Sequence, residues 1–172
     1  KELIDVGAHK GEFLSYVIKL HSIKKFYAFE PQASIFRILK RNFLNNKKVK
    51  LINMGLSEKP SKKIFYISKL SSTSTMSKFN ENSSYLKFKN ILIGSKKNYV
   101  DKYSIKTSSI NVFFKNIKFT NCLLKIDVEG FEYNVLEGGK SKIREVNYIL
   151  IENQFGNLYE NKSFDEIKNY LY

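Results

Sequence analysis

Short apolar runs alternate with apolar positions at helical spacing over the first third of the chain. The runs predict buried strands, and the positions that recur every three or four residues predict helices with one buried face. In order, the predicted elements are a strand over residues 3–6, a helix from about Glu12 to near His21, a strand over 25–30, a helix over 33–44 and a strand over 49–54. This β-α-β-α-β order predicts a parallel sheet with right-handed crossover connections.

The same alternation returns in the C-terminal part of the chain. It predicts strands over residues 122–128 and 146–152, a helix over 129–139 between them, and a helical stretch over 164–172. Strands that alternate with helices are typical of α/β proteins. We therefore predict an α/β fold with a doubly wound, mostly parallel sheet of the Rossmann-like kind.

Residues 57–119 interrupt this regular alternation. The pattern predicts a strand over 63–68, and two further strands over 87–93 and 99–106 that pair as a hairpin around residues 94–98. A run rich in Ser, Thr and Asn at 70–84 predicts a loop, and Ser108 or Ser109 is expected to cap a short helix. We interpret residues 1–172 as a single domain in which 57–119 are an insertion that forms a substrate-binding or lid region.

Composition and charge narrow the class of protein. With 172 residues, 42% of them hydrophobic, the chain suits one globular domain, and an intrinsically disordered chain is excluded. The net charge of +14 would suit a nucleic-acid or anionic-membrane partner. The basic residues are nearly all scattered lysines, whereas arginine is the residue preferred for phosphate and base contacts. We therefore interpret the charge as a solvated surface and expect no nucleic-acid partner, and a basic nucleic-acid-binding domain stays open as an alternative.

The single cysteine, Cys122, excludes an internal disulfide framework. It opens an apolar run, so we expect a buried structural thiol in a reducing compartment, and hence a cytoplasmic protein. No stretch has the pattern of a signal peptide or the length of a transmembrane segment. The chain opens on a predicted core strand and ends in a helical stretch, so we expect it to be a segment of a longer protein.

A glycine turn separates the first predicted strand from the first predicted helix. Gly7 and Gly11 allow the backbone to approach a ligand closely, and the free N–H groups that open the helix can bind polar ligand atoms. The spacing Gly7-x-x-x-Gly11 differs from the G-x-G-x-x-G of dinucleotide-binding enzymes. A nicotinamide-dependent (NAD) oxidoreductase is therefore a less favoured alternative for this strand–turn–helix unit.

Four acidic residues lie at or beside the carboxyl ends of predicted parallel strands, namely Asp5, Glu30, Asp127 and Glu152. Because these strand ends share one edge of a doubly wound sheet, the four side chains are expected to meet at one crevice. Glu30 follows Gly11 by 19 residues, a separation that suits a carboxylate binding ribose hydroxyls. Each acid alone is explained by a helix cap or a solvated loop, but four of them at strand ends predict a ligand site.

Two more acids, Glu129 and Glu132, follow Asp127 closely. Acids in a first helical turn also complement the helix dipole, so either residue has a purely structural explanation. Carboxylate oxygens suit a hard divalent cation, but this spacing is not diagnostic, and we predict no metal ligands. His9 lies in the glycine turn, where it can contact a ligand.

Three segments support a resemblance that is more specific than the fold. They read IDVGAHKG at residues 4–11, AFEP at 28–31 and LKIDVEGFE at 124–132. Together they resemble the FkbM family of S-adenosylmethionine-dependent methyltransferases, within the class I superfamily, and the third segment is the most specific. GLS at 55–57, STST at 72–75 and VLEGG at 135–139 also resemble segments of that family.

The resemblance implies a class I methyltransferase sheet with S-adenosylmethionine over the carboxyl ends of strands one to four, and S-adenosylhomocysteine as the product. The cofactor-binding residues that it implies are Asp5, Gly7, Ala8, His9 and Gly11 at the methionine end, Glu30 and Pro31 at the ribose, Asn53 and Gly55 near the adenine, and Asp127 beside the sulfonium and methyl. Members typically methylate a hydroxyl, so we expect the acceptor to be a sugar, a glycan or a small metabolite.

A hydroxyl acceptor needs a general base, or a metal ion, to become nucleophilic. The candidate catalytic residues are Asp127, Glu129 and Glu152, and the sequence does not distinguish among them. The chain departs from the family pattern at His9, where Asn is usual, and at residues 109–111 (SIN), where Thr-Leu-Asp is usual. It also lacks the hairpin that follows the fifth strand of a complete class I sheet.

Overall fold

Strands and helices alternate along the chain in a computed structural model that describes residues 1–20, 22–92, 94, 98–153 and 158–172. The strands are β1 (Glu2–Val6), β2 (Lys25–Phe29), β3 (Val49–Ile52), β4 (Gly55–Leu56), β5 (Ser61–Ile67), β6 (Asp101–Ser108), β7 (Cys122–Ile126) and β8 (Tyr148–Ile151). The helices are α1 (Glu12–Leu20), α2 (Ala33–Phe43), α3 (Ser84–Leu92), α4 (Ile110–Phe113), α5 (Glu132–Glu137) and α6 (Phe164–Leu171).

Five of the strands form one parallel sheet in the order β3-β2-β1-β7-β8. The central strand β1 pairs with β2 and β7, so that Asp5 lies opposite Ala28 on one side and Lys125 on the other. Residues of β1, β2 and β7 are nearly all buried, as expected of a parallel sheet that is covered on both faces. The predicted α/β class with a mostly parallel sheet is confirmed.

Neighbouring residues of β1 contact opposite layers of the domain. Leu3 belongs to an apolar cluster with Leu39 of α2, whereas Ile4 belongs to a second cluster with Leu136 of α5. Helices therefore cover both faces of the sheet, which is the doubly wound arrangement. Full burial of each such side chain contributes about 1.5–3 kcal/mol, so these two layers hold the carboxyl edge of the sheet in place.

A second sheet of three strands, in the order β4-β6-β5, contains much of the predicted insertion. β5 pairs antiparallel with β6 over its whole length, which confirms the strand predicted over 63–68. Phe65 and Ile105 belong to the same apolar cluster as Ile4, so the two sheets share one core. The Tyr103 hydroxyl also accepts a hydrogen bond from the N–H of Ala33, at the start of α2, at 3.3 Å.

The strand predicted over residues 87–93 is wrong, because α3 occupies most of this stretch. The Ser83 hydroxyl accepts the N–H of Leu86 at 3.2 Å, which is the hydrogen bond of a helix N-terminal cap. The predicted hairpin is wrong as well, since the strand predicted over 99–106 forms β6 and pairs with β5. Residues 93 and 95–97 lie outside the described residues, as does His21 at the predicted end of α1.

The chain leaves β7 through a turn and not through the predicted helix over 129–139. Glu129 and Gly130 have φ angles of 55° and 85°, which a right-handed helix cannot include, and α5 begins only at Glu132. The capping prediction before α4 is confirmed, because the Ser109 hydroxyl accepts the N–H of Val112 at 3.3 Å. The turn after β7 therefore places its backbone at the carboxyl edge of the sheet.

Cys122 is fully buried, and burial raises the pKa of its thiol to about 12. The thiol is therefore protonated at neutral pH, which confirms the expected structural role.

Within the described residues, no helix combines the length and the apolar character needed to cross a membrane.

Candidate functional site

The glycine turn after β1 lies against the end of β7. Gly7 has a φ of 82°, and a Cβ at this position would be only 1.9 Å from the backbone oxygen of Asp127. The N–H groups of Gly7 and Ala8 both donate to the carbonyl of Phe29, at 3.1 and 2.9 Å. These contacts bring the carboxyl ends of β1, β2 and β7 together, which is where an open parallel sheet binds its ligands.

His9 connects this turn to the acid that follows β2. Its backbone N–H donates to Glu30 Oε2 at 2.9 Å. Its ring lies between two further groups, with Nε2 2.9 Å from Ser71 Oγ and Nδ1 3.2 Å from Glu12 Oε1. The positive φ of 49° at His9 directs the backbone N–H toward Glu30, so the strained residue organises the site.

Glu30 is a buried carboxylate with both oxygens oriented by the backbone. Oε2 accepts the N–H of His9, and Oε1 accepts the N–H of Gln32 at 2.7 Å. Burial raises the pKa of Glu30 to about 7, although these two hydrogen bonds act in the opposite direction. Asn53 holds the following turn, because its amide donates to the backbone oxygens of Glu30 and Pro31 at 2.8 and 3.3 Å.

Lys125 lies between two carboxylates at the centre of the site. Its Nζ is 3.1 Å from Asp5 Oδ1, 3.1 Å from Asp127 Oδ2 and 3.2 Å from the carbonyl oxygen of Gly7. Asp5 is fully buried, and this burial raises its pKa while Lys125 lowers it. Burial alone would lower the pKa of Lys125, but the two carboxylates outweigh it and raise the pKa above its usual value.

Three carboxylates, which we call the acidic trio, meet beyond Lys125. Oxygens of Asp127, Glu129 and Glu152 all lie within 4.8 Å of one another. The Tyr159 hydroxyl donates to Glu129 Oε2 at 3.0 Å. Burial, followed by the charges of Asp127 and Glu129, raises the pKa of Glu152 to about 7. Such oxygens can share a proton, and they are also the donors that hard divalent cations prefer.

Glu132 holds the turn that presents the acidic trio. Its Oε1 accepts the N–H groups of Val128 and Gly130, at 3.1 and 3.2 Å. Gly130 packs against an aromatic ring, since a Cβ there would lie 2.3 Å from Cδ2 of Tyr159. Burial raises the pKa of Glu132 to about 7. The structural explanation given for Glu132 therefore agrees with its contacts in the turn.

A cavity of about 290 Å³ opens between these groups. Of the predicted site residues, its wall includes Gly7, Ala8, His9, Glu30, Pro31, Gly55, Asp127 and Glu129. Its charged wall residues are the acids Glu12, Glu30, Asp127 and Glu129, and Lys125 is the single lysine among the described residues of the wall. The cavity is thus acid-rich in a protein of net charge +14.

Four of the predicted site residues lie outside this wall. Asp5 is buried behind Lys125, and Asn53 supports the turn after Glu30. Gly11 faces α2, because a Cβ there would lie 2.2 Å from Cε2 of Phe43. Glu152 adjoins the cavity only through the acidic trio and faces a second, smaller hollow of about 190 Å³. Asp5, Asn53 and Glu152 therefore contact groups of the cavity wall, whereas Gly11 packs against α2.

Several groups at the site were not predicted from the sequence, among them Lys125, Tyr159 and Ser71. In the sequence, Lys125 stands out only as a charged residue within an apolar strand. Its two ion-pair partners are Asp5 on β1 and Asp127 just after the end of β7. Tyr159 and Ser71 have no local signal that connects them to Glu129 and His9. Such contacts join residues far apart in the chain, and only the fold brings them together.

The parallel sheet, the glycine turn and the acid-rich cavity at its carboxyl edge define a Rossmann-like domain with a ligand-binding cavity. Residues 5–172 match the family described as the methyltransferase FkbM domain. The chain belongs to this family.

A solved structure gives independent support for the fold. The crystal structure of methyltransferase FkbM from Methylobacillus flagellatus KT matches 89% of this chain with a TM-score of 0.57 and 17% sequence identity. The match covers 32% of that protein, so the chain spans about a third of the length of this relative. Among curated proteins, none has significant similarity to this sequence.

Proposed function

We propose that the chain binds S-adenosylmethionine in the acid-rich cavity and transfers the methyl group to a hydroxyl of a sugar, a glycan or a small metabolite. The observation that supports this most directly is the excess of carboxylates in the cavity wall. The cofactor has a sulfonium and an ammonium group, and nearby carboxylates stabilise both cations. Membership of the FkbM methyltransferase family supports the reaction class.

The residues of the cavity suit the other parts of the cofactor as well. The two oxygens of Glu30 are oriented by N–H groups and retain lone pairs that ribose hydroxyls can use. Met54, Leu56 and Phe65 give the wall an apolar part that suits an adenine ring. The turn at Gly7 and Ala8 lets the backbone approach the methionine end closely.

The acidic trio is the proposed proton acceptor for the hydroxyl. When bound, the cofactor supplies an already activated methyl group, so the protein has to align the acceptor and remove its proton. Asp127 and Glu129 line the cavity, and Glu152 lies within 4.8 Å of both. Because the pKa of Glu152 is raised to about 7, a proton can reside on the trio near neutral pH.

The insertion is proposed to contribute to acceptor binding. Phe65, Met76 and three serines of the 70–84 loop belong to the cavity wall. This supports the prediction that residues 57–119 form a substrate-binding or lid region of a single domain. The cytoplasmic location expected from the single cysteine is part of the same proposal.

The alternatives have less support from the cavity. A nicotinamide dinucleotide contains a pyrophosphate, and nucleic acid contains a phosphate for every nucleotide. Both would bring negative charge next to the carboxylates of Glu30, Asp127 and Glu129. Like charges at close range are repulsive, so the acid-rich wall favours the cationic cofactor.

Binding of S-adenosylhomocysteine tests the cofactor half of the proposal. At pH 8 we expect Glu30→Gln to bind about tenfold more weakly than the wild type, because a neutral amide replaces a charged acceptor of the ribose hydroxyls. Glu30 has a pKa of about 7, so protonation should weaken wild-type binding as the pH falls below 7, and the difference between the two proteins should close. Isothermal titration at several pH values measures both effects.

The matched control for this titration is Glu81→Gln, which removes an exposed carboxylate outside the cavity wall. Its affinity should equal that of the wild type at every pH. A wild type that binds no S-adenosylhomocysteine, or a Glu30→Gln variant with undiminished affinity at pH 8, would contradict the assignment of the site.

Methyl transfer tests the acceptor half of the proposal. We expect methyl-labelled S-adenosylmethionine and a panel of sugars and small alcohols to give a labelled methyl ether, because the acidic trio can accept the hydroxyl proton. Mass spectrometry locates the methyl group, and Glu81→Gln should give the same product. A protein that binds S-adenosylhomocysteine but labels no hydroxyl of the panel would overturn O-methylation and leave the cofactor site intact.

A further inference from the structure

Helix α3 exposes a face of large apolar side chains. Tyr85, Phe88, Ile91 and Leu92 are between 49% and 77% exposed. Their spacing of three and four residues puts Tyr85, Phe88 and Leu92 on one side of the helix, with Ile91 beside them. Leu86 faces the other way and is buried. Contiguous exposed apolar residues on a folded domain mark a surface that binds a partner.

Two more exposed apolar residues, Leu70 and Val100, belong to segments that contact the C-terminal end of this helix. The amide of Asn90 donates to Asn98 Oδ1 at 2.6 Å, two residues before Val100. Lys69 Nζ lies 3.5 Å from the carbonyl oxygen of Gly94, just beyond α3. The end of α3, the segment after β5 and the start of β6 therefore meet. The α3 surface, as we call it, consists of Leu70, Tyr85, Phe88, Ile91, Leu92 and Val100.

The positive charge of the protein is concentrated in the same part of the chain. Residues 57–119 contain thirteen lysines, no arginine and three acids, so they contribute +10 to the total of +14. Lys69, Lys87 and Lys102 are exposed on or next to the segments that form the α3 surface. Asp101, the acid that directly follows Val100 of the α3 surface, accepts a hydrogen bond from the backbone N–H of Lys102 at 2.8 Å.

We propose that the α3 surface binds the face of an anionic lipid bilayer. Apolar side chains enter the boundary between head groups and acyl chains, and the neighbouring lysines attract the lipid phosphates. Four of the six side chains of the α3 surface are aliphatic and offer nucleic acid no aromatic face for stacking, and residues 57–119 contain no arginine for phosphate and base contacts. A second copy of the chain would bring two lysine-rich surfaces together, which charge repulsion opposes.

The α3 surface adjoins the cavity through the segment that follows Leu70. Ser71, Ser72 and Ser74 belong to the cavity wall, and Ser71 contacts His9. A bilayer that touches Leu70 is therefore next to the cavity. On the proposed function, the acceptor hydroxyl then belongs to the head group of a membrane-borne glycan or lipid. Bilayer binding itself does not depend on methyl transfer.

Vesicle co-sedimentation of the purified chain tests this proposal. We expect binding to phosphatidylcholine vesicles that contain phosphatidylglycerol, little binding to pure phosphatidylcholine, and a loss of binding at high salt. The double variant Phe88→Ser/Ile91→Ser should partition at least about tenfold more weakly, because two apolar groups no longer enter the bilayer. Lys87→Gln should reduce partition about fivefold.

Matched controls come from other exposed parts of the chain. Tyr148→Ser/Leu150→Ser removes two exposed apolar side chains from β8, and Lys19→Gln removes an exposed lysine from α1. Both should bind vesicles as the wild type does. Unchanged binding of S-adenosylhomocysteine by the α3 double variant shows that it is folded.

Several outcomes would overturn the proposal. One is an absence of binding to anionic vesicles, and another is an equal loss of binding in the β8 control. A third is a loss of binding in Lys87→Gln with no loss in the α3 double variant. Binding of single-stranded RNA more tightly than of anionic vesicles would instead identify nucleic acid as the partner. A dimer that the α3 double variant abolishes would identify a second copy of the chain. Vesicle binding without S-adenosylhomocysteine binding would overturn the proposed function and leave the bilayer proposal standing.

Discussion

Gly7→Ala is expected to lower the free energy of unfolding by about 2–5 kcal/mol. A left-handed backbone conformation costs an L-residue about 1–2 kcal/mol, and Gly7 has a φ of 82°. A Cβ would also lie 1.9 Å from the backbone oxygen of Asp127, which forces the ends of β1 and β7 apart. Overpacking of this kind adds about 1–3 kcal/mol. Urea unfolding followed by circular dichroism measures the change.

Gly94→Ala is the matched control for this substitution. Gly94 has a similar φ of 61°, but a Cβ at this position would meet none of the described residues within 4 Å. Its substitution should therefore cost only the conformational part, about 1–2 kcal/mol. Because the turn at Gly7 also lines the cavity, Gly7→Ala should weaken binding of S-adenosylhomocysteine, and Gly94→Ala should not. Equal destabilisation by the two variants would show that the contact with Asp127 is unimportant.

The sequence predicted the frame of the site because the relevant signals are local. The apolar run before Gly7, the glycine turn and the acids at strand ends can each be recognised within a few residues. The parallel order of the strands then requires their carboxyl ends to share one edge. This is why the structure brings Glu30 and Asp127 to the same cavity although 97 positions separate them.

The rest of the site depends on contacts that no local pattern contains. Lys125 lies opposite Asp5 because β1 and β7 are neighbours in the sheet, although a long insertion separates them in the chain. The prediction of a strand in place of α3 failed for a related reason. In a short apolar stretch, hydrophobic periodicity alone does not distinguish a strand from a helix, and the capping hydroxyl of Ser83 favours the helix.

The acid-rich cavity and the lysines of residues 57–119 give two parts of the domain opposite electrostatic characters. The segments that follow β2 and β7 contribute three of the four carboxylates that line the cavity, whereas residues 57–119 contribute most of the positive charge. A cationic cofactor and an anionic surface would therefore be attracted to different parts of the same domain. In such an arrangement Lys125 has a special position, because it is a buried cation on the acidic side.

Lys125→Met is expected to destabilise the protein by about 3–5 kcal/mol at pH 7, since it leaves the fully buried carboxylate of Asp5 without its cation. Without Lys125, the folded-state pKa of Asp5 should rise further above its unfolded value. A raised carboxyl pKa favours the folded state at low pH and disfavours it as the pH rises, so the deficit should shrink on acidification. Urea unfolding at two pH values measures both effects.

A double-mutant cycle separates loss of the ion pair from loss of packing. Asp5→Asn/Lys125→Met removes both charges of the pair, so it should be more stable than Lys125→Met alone, with a coupling of about 1–3 kcal/mol. Lys62→Met, at an exposed lysine of β5, should change stability by no more than about 0.5 kcal/mol. Additive effects at Asp5 and Lys125 would contradict a direct pairing. Rescue by the double variant would mean that Lys125 stabilises the fold by neutralising the buried carboxylate of Asp5.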